Sequence, residues 1–356
     1  MESFLGQVNG QPSRARSIVL RKNGIKQRYY ALKDGVRTHT NTELAAIAIQ
    51  GLFSEEPQKM EAVDLLAVGS SSPEQLLPSH AAMVHGALGM KPIEIISTSG
   101  ACVCSMQALK YAWLAVGSGQ SQHAVAAGSE RVSSWMQASR FQAEADTWKD
   151  IEAQPYLAFE KDFLRWMLSD GAGAALLETT PNKDALSLKI EWIEIKSYAN
   201  ELEACMYAGA VKNEKGELVG YNDMSTADWG AQSVFAFKQD TRLLGENIVR
   251  KGGGFLKELM EKYNLSGDQI DYYLPHMSSE FFKEQIDKIH EEIGIAIPLE
   301  KWFYNLPKVG NIGSASVFLM LTELYNSGRL KKGEHILAMV PESARFTYAY
   351  MYLTVV

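Results

Sequence analysis

Cys102 lies in the run Ile95-Ile96-Ser97-Thr98-Ser99-Gly100-Ala101-Cys102-Val103-Cys104. An apolar strand ends there, small residues turn the chain, and an apolar helix starts at once. At a helix N-terminus, free N–H groups and the helix dipole favour a thiolate, the nucleophilic form of cysteine. Ser99, Gly100 and Ala101 allow a tight turn and leave room for a substrate. Two later segments supply polar partners: Leu274-Pro275-His276 and Val309-Gly310-Asn311-Ile312-Gly313-Ser314-Ala315-Ser316. Both read as strand-end loops opening onto helices. A cysteine can take an acyl group. Histidine and asparagine donors can hold a thioester carbonyl as it becomes an enolate. Cys102, His276 and Asn311 therefore form a set suited to making carbon–carbon bonds from thioesters.

The elements that position these residues alternate. Apolar runs predict strands over Leu65–Gly69, Ile93–Ser97, Ala124–Gly128, Gly173–Leu177, Leu186–Ile195, Tyr272–Pro275, Ile336–Val340 and Thr347–Val355. Amphipathic runs predict helices over Thr42–Leu52, Ser79–Leu88, Val103–Val116, Phe237–Tyr263, Ser279–Ile293 and Ala315–Ser327. Strands alternating with helices imply an α/β fold with largely buried sheets. The polar stretch Asn200–Gly230 reads as a long connection between two halves, and long connections are often functional.

The chain has 356 residues, 46% hydrophobic and 22% charged, enough for one large or two fused domains with a substantial core. A net charge of −7 argues against nucleic acid as the main partner. No apolar run has the length of a membrane span. The first 25 residues carry Arg14, Arg16, Arg21 and Lys22 without an apolar h-region, so no signal peptide is expected and the compartment is expected to be the cytoplasm. Cys102, Cys104 and Cys205 fit a reducing compartment better than a disulfide framework. Neither a metal nor a cofactor is expected, because Cys102 and Cys104 have no second Cys or His pair at ligand spacing. Cys104 is roughly 200° round the helix from Cys102 and reads as core.

The chain resembles the ketoacyl synthase III branch of the thiolase superfamily. Ala101-Cys102, Pro275-His276 and Gly310-Asn311 through Ser316 match that branch in order and approximate spacing. So do Asn23 to Arg28, Gly128-Ser129-Glu130 and Asp170 to Ala174. The resemblance implies a thiolase-like, five-layered αβαβα fold of two similar halves, 1–182 carrying Cys102 and 183–356 carrying His276 and Asn311. It implies a homodimer acting on acyl thioesters, with acyl carrier protein as a partner. It also implies an oxyanion hole from the N–H groups of Cys102 and of Ala344, the latter in the run that replaces the family's Gly-rich loop. Leu77 takes the place of a gate residue that the partner subunit contributes to the acyl pocket, with plain interface packing the equal alternative. Lys22 and Lys26 are candidate phosphate contacts, with surface solvation the equal alternative. Arg345 either pairs with Glu342 or marks a different second substrate. His80 and His85 lie in a region that approaches the partner's site in the family, although a core or surface role is the ordinary expectation.

Departures from the usual pattern bear on substrate. Ile18 replaces a Trp that stacks on coenzyme A adenine, and Met277-Ser278-Ser279-Glu280 replaces the usual carrier-contact sequence after the histidine. The Glu342-Ser343-Ala344-Arg345-Phe346 ending and the block from Arg21 to Leu32 are similar to the branch that makes dialkylresorcinol or flexirubin-type lipids. The alternatives are a chain-initiating synthase of fatty acid synthesis and a non-catalytic partner of a heterodimeric synthase. A degradative thiolase needs a second cysteine in the C-terminal loop, and residues 206–356 contain none. Glu74 does not match the glutamate base of a hydroxymethylglutaryl-type synthase. Family members carry a strand ahead of the segment matching Met1–Leu5. Loss of an inner strand would leave unpaired ladder groups, so a misassigned start is expected.

Overall fold

The computed structural model describes residues 16–137 and 164–356. Met1–Leu5, on which the expected start turns, lie outside the described residues. In the first sheet, β1 (Leu65–Ser70), β2 (Glu94–Ser99), β3 (His123–Glu130) and β4 (Gly171–Glu178) run in the order β2-β1-β3-β4. β1 is parallel to β2 and β3, and β4 is antiparallel to β3. In the second sheet, β5 (Leu188–Ser197), β6 (Tyr272–Pro275), β7 (His335–Glu342) and β8 (Thr347–Val355) run in the order β6-β7-β8-β5. β6 is parallel to β7, and the other pairs are antiparallel. By order and direction, β1, β3 and β4 correspond to β6, β7 and β8. The place filled by β5 beside β8 is an edge. The matching edge of β4 carries no strand among the described residues. The expectation that this place is an inner one is therefore corrected.

The main helices are α1 (Arg16–Asn23), α2 (Asn41–Leu52), α3 (His80–Leu88), α4 (Cys104–Gly117), α5 (Thr226–Ala231), α6 (Thr241–Tyr263), α7 (Lys283–Glu292), α8 (Leu306–Val309) and α9 (Ser316–Asn326). Strand alternation sorts them into layers. Leu66 and Val68 of β1 pack with Ala45 and Ile49 of α2 and Val84 of α3. Leu65 and Ala67 turn the other way, toward Met106 of α4 and Phe318 of α9. Ile336 and Ala338 of β7 share that same central cluster. Leu337 and Met339 face outward, onto Leu256 of α6 and Ile286 of α7. Two sheets thus enclose α4 and α9, with α2 and α3 outside one sheet and α6 and α7 outside the other. All six residues of β1 are buried, as a parallel strand covered on both faces requires.

Several boundaries move for local reasons. The helix expected from Phe237 begins at Thr241, because Lys238–Gln239 pairs with Met206–Tyr207 and the Asp240 side chain caps the helix through the Leu243 N–H at 2.9 Å. α6 stops at Asn264 in the left-handed region, φ 51°. The helix expected from Ser279 begins at Lys283, after a 3₁₀ turn at Glu280–Phe282. The connection Asn200–Gly230 is not featureless: Ala210–Lys212 pairs with Leu218–Gly220, and α5 begins at Thr226. Among the described residues, no helix is long and apolar enough to cross a membrane.

Candidate active site

α4 begins at Cys104, so Cys102 stands in the turn just before it rather than within its first coil. Gly100 makes the turn at φ 138°, and the Cys104 N–H closes it on the Ala101 carbonyl at 3.0 Å. The elbow is pressed onto β1: a Cβ on Gly69 would lie 2.6 Å from the Ser105 nitrogen, so only glycine fits. Cys102 is partly exposed and Cys104 is fully buried, as their spacing predicts.

His276 continues the β6–β7 pairing, its N–H donating to the Met339 carbonyl at 2.8 Å. Its side chain is buried, and burial pulls its pKa down to about 4, so the ring is neutral at neutral pH. Asn311 follows α8 rather than a strand. Its N–H donates to Met167 at 2.9 Å and its carbonyl accepts from Ser169 at 2.8 Å. The Gly313 N–H donates to Oδ1 at 2.9 Å, which assigns the side-chain oxygen to the turn and leaves the NH₂ as a donor. Cys102, His276 and Asn311 line one cavity of about 60 Å³, walled also by Met206, Phe237 and Ser343. Met206 and Phe237 come from the region after residue 200, which thereby helps to build the site.

Two buried carboxylates flank the elbow, Glu130 and Glu342, both within runs that carry the resemblance but neither expected at the site. Glu130 ends β3 and accepts from Ser71 N and Oγ at 3.1 and 2.7 Å, Ser72 Oγ at 2.6 Å and Ser314 N at 3.2 Å. Glu342 ends β7 and accepts the Ala101 N–H at 3.4 Å. Burial raises both carboxyls. Burial first, then Glu342 and Glu130, pushes the Cys102 thiol well above its ordinary range. This direction runs against the expected thiolate: burial of the sulfur and the two acids raise the thiol, while the Cys102 N–H lowers it. The apolar strand before Glu130 and the one before Glu342 were the available signals, since an acid closing such a strand can stay inside with it.

The remaining candidates are scattered. The Ala344 carbonyl accepts from Cys205 N at 2.8 Å, while Ser343 of the same hairpin lines the cavity. Arg345 is exposed and donates to the Leu202 carbonyl at 3.1 Å, and among the described residues no ion pair joins it to Glu342. Leu77 is 85% exposed and does not line the cavity. Lys22 is exposed, with its ammonium 5.5 Å from the Phe281 ring; its carbonyl accepts from Ser279 Oγ at 3.4 Å, beside the cavity residue Ser278. Lys26 is exposed next to Pro307. His80 is buried with Nε2 2.8 Å from Ser129 Oγ, a core position. Among the described residues, no group of three or more His, Cys, Asp or Glu is placed to hold a metal.

Residues 27–156 match the family model described as thiolase, N-terminal domain. Residues 260–351 match the one described as 3-oxoacyl-[acyl-carrier-protein] synthase III, C terminal. A beta-ketoacyl-[acyl-carrier-protein] synthase III of Clostridium perfringens is 26% identical over 319 residues, 89% of this chain and 84% of the relative. The chain belongs to the ketosynthase III-like family of the thiolase superfamily. The solved beta-ketoacyl-[acyl carrier protein] synthase III of Thermus thermophilus superposes with a TM-score of 0.71 at 22% identity, over 99% of this chain and 98% of that one. OleA of Xanthomonas campestris, solved with bound lauric acid and lauroyl-CoA, gives 0.70 at 18%, over 98% and 90%. The two halves and five layers are those of the thiolase fold. Members of this family are condensing enzymes, and this ketosynthase III-like chain is an acyltransferase of that kind.

Proposed function

We propose that this enzyme acylates Cys102 and joins the acyl group to a second acyl thioester held by His276 and Asn311. The observation that carries the reading is the meeting of these three side chains on one cavity, drawn from three loops of two halves. Cys102 rests as a thiol, so its proton passes to the neutral His276 as sulfur adds to the incoming thioester carbonyl. The same proton then leaves with the departing thiol. His276, neutral again, and the Asn311 NH₂ next donate to the carbonyl oxygen of the second thioester as it becomes an enolate. The α-proton lost in forming the enolate leaves to solvent; the enolate carbon then attacks the Cys102-bound acyl group, the acyl carbon–sulfur bond breaks, and the expelled sulfur takes up a proton to restore the thiol. The N–H of Cys102 and a donor of the 343–344 hairpin are the proposed oxyanion hole.

The finer reading is that at least one substrate is a β-ketoacyl chain, and that the two are joined and cyclised to a 2,5-dialkylcyclohexane-1,3-dione. The Glu342–Phe346 ending and the Arg21–Leu32 block support it. Donors are medium to long acyl groups on a carrier protein, since Ile18 offers no aromatic platform for adenine. Such stacking contributes about 1–3 kcal/mol. The names of the curated relatives support a carrier-protein partner. Lys22 and Lys26 serve as phosphate contacts at the cavity rim, and Arg345 is a more distant candidate for contact with the incoming substrate. A cytoplasmic homodimer completes the reading: Leu76 and Leu77 are 72% and 85% exposed, a consecutive apolar pair suited to a partner subunit. The test offers a panel of acyl and β-ketoacyl carriers and identifies products by mass. Faster loading of Cys102 from acetyl-coenzyme A than from a medium-chain acyl carrier would return the enzyme to the chain-initiating class. Absence of any acyl gain on Cys102 would make it a non-catalytic partner subunit.

A further inference from the structure

Glu342 sits between Pro341 and Ser343, both of which line the cavity, and strand alternation turns it the other way. Its side chain is 9% exposed and reaches from the second half into the elbow of the first. Oε2 accepts the Ala101 N–H at 3.4 Å, and the N–H groups of Val103 and Arg345 are also directed at the carboxylate. A Cβ on Gly100 would lie 3.6 Å from Oε2, so the carboxylate rests directly against the turn. Ala101 and Val103 are the chain neighbours of Cys102 on its two sides. The N–H groups ahead of a helix carry partial positive charge that favours an anion. Here the anion they meet is a carboxylate, not the sulfur.

We propose that Glu342 is a positioning residue for Cys102, clamping the peptide groups on both sides of the nucleophile and setting the charge beside it. This inference rests on the reading of Cys102 as the acylated nucleophile. The titratable groups around the pair are Cys102 and Cys104 at the elbow, Glu130 at the end of β3 and His276 after β6. The nearest cation in sequence, Arg345, is committed to the Leu202 carbonyl. The carboxylate therefore acts on the sulfur without a neutralising partner among the described residues. An idle enzyme with a protonated sulfur resists adventitious alkylation and oxidation, and releases its nucleophile only when a thioester and His276 share the proton.

The test is the pH dependence of iodoacetamide alkylation on the full chain, with the labelled cysteine located by peptide mass. Wild-type Cys102 is expected to react with a midpoint above about 8.5, the ordinary thiol value. Glu342→Gln keeps the shape and a hydrogen-bond acceptor but removes the charge, and should lower the midpoint by about one pH unit or more. Glu342→Asp keeps the charge and should hold the midpoint near that of the wild type, even if the shorter side chain loosens the elbow. A wild-type midpoint below 8.5, an unmoved midpoint in Glu342→Gln, or equal shifts in Gln and Asp would each overturn the proposal. Failure to label Cys102 at any pH would instead remove the nucleophile reading beneath it.

Discussion

The carboxylate of Glu130, at the end of a strand in the first half, accepts the Ser314 N–H of the second half at 3.2 Å. Through the same residue it holds Ser71 and Ser72, so one buried acid ties the loop after β1 to the loop that carries Asn311. Glu130→Ala would leave the Ser71 and Ser314 N–H groups buried and unpaired, at a cost of about 2–4 kcal/mol. Thermal unfolding should show this loss, and Glu130→Gln should recover part of it. The pH response has a definite sign. Burial raises the folded carboxyl above its unfolded value, so the folded state holds the proton longer and wild-type stability falls as pH rises through that window. Gln carries no charge at any pH, so its disadvantage should shrink as pH rises from about 4 toward neutral. A gap that widened instead would contradict the assigned shift.

Cys102 and Cys104 should separate cleanly. Cys102→Ala is expected to abolish product formation, because Cys104 is fully buried and cannot face the cavity. Cys104→Ala should stay active and lose about 1 kcal/mol of stability for the missing sulfur. Product assays on both variants decide it, and an active Cys102→Ala enzyme would remove the covalent mechanism.

His276 and Asn311 should fail at different steps. A resting thiol needs a proton acceptor, so His276→Ala is expected to slow acylation of Cys102 as well as condensation. Asn311→Ala should spare acylation and slow condensation by about 10²–10³, the usual effect of losing one oxyanion donor. Intact-mass kinetics follows the two half-reactions separately. Because His276 is neutral above about pH 4 and the thiol is raised, the thiol–imidazole pair from which acylation starts is fully populated through neutrality, so the acylation rate should stay level from about pH 5 to about pH 8 rather than fall away below 6.5.

Cys102 and His276 were legible because each follows a strongly patterned strand, and Asn311 because its Gly-flanked turn opens onto the apolar helix α9, although the strand expected before it is the short helix α8. Tyr272–Pro275 and Thr347–Val355 carry enough consecutive apolar residues for both ends to be read directly, and both match the structure. Thr241 was not legible as a helix start, since Phe237 continues the apolar pattern and only the Asp240 cap, seen in space, breaks it. The state of the sulfur was not legible either. It depends on Glu130 and Glu342, which lie 28 and 240 residues from Cys102 in sequence and meet it only through the fold. In sequence Glu342 and Arg345 left two readings, a mutual pair or the mark of a different second substrate. The hairpin instead turns one inward to Ala101 and the other outward to Leu202.

Gly128 should be indispensable for a reason unrelated to flexibility. A Cβ there would lie 2.4 Å from the Ser314 carbonyl oxygen and 2.9 Å from Ser105 Cβ, both on tightly held elements. Gly128→Ala must push the Asn311–Ser314 loop away from β3, costing about 1–3 kcal/mol and much of the condensing activity. Gly86→Ala is the control. It lies in α3 with nothing within 4 Å of the new methyl, and should gain up to about 1 kcal/mol with activity intact. If Gly128→Ala matched that control in a melt and in turnover, the close docking of the two loops would be wrong.

Acid should destabilise the fold through its buried histidines. His276 and His290 are each pulled down by burial to about 4, against an unfolded value near 6.5. The folded state keeps them neutral, so their contribution is complete above about 6.5 and is lost as pH falls toward 4, by about 3 kcal/mol each at most. Glu130, Glu342 and Asp170, whose carboxyls burial raises, act in the opposite sense above their unfolded values of about 4. A comparison of variants therefore isolates one histidine better than a single acid titration. His290 lies against the rings of Tyr273 and Trp302, with centroids 5.1 and 5.8 Å away, and does not line the cavity with Cys102. His290→Phe keeps an aromatic ring there and removes the titrating group. Urea unfolding at pH 7 and pH 4.5 should show the variant losing less stability than the wild type on acidification, by about 2–3 kcal/mol. Parallel losses in the two proteins would mean that His290 is hydrated and titrates as it does in the unfolded chain.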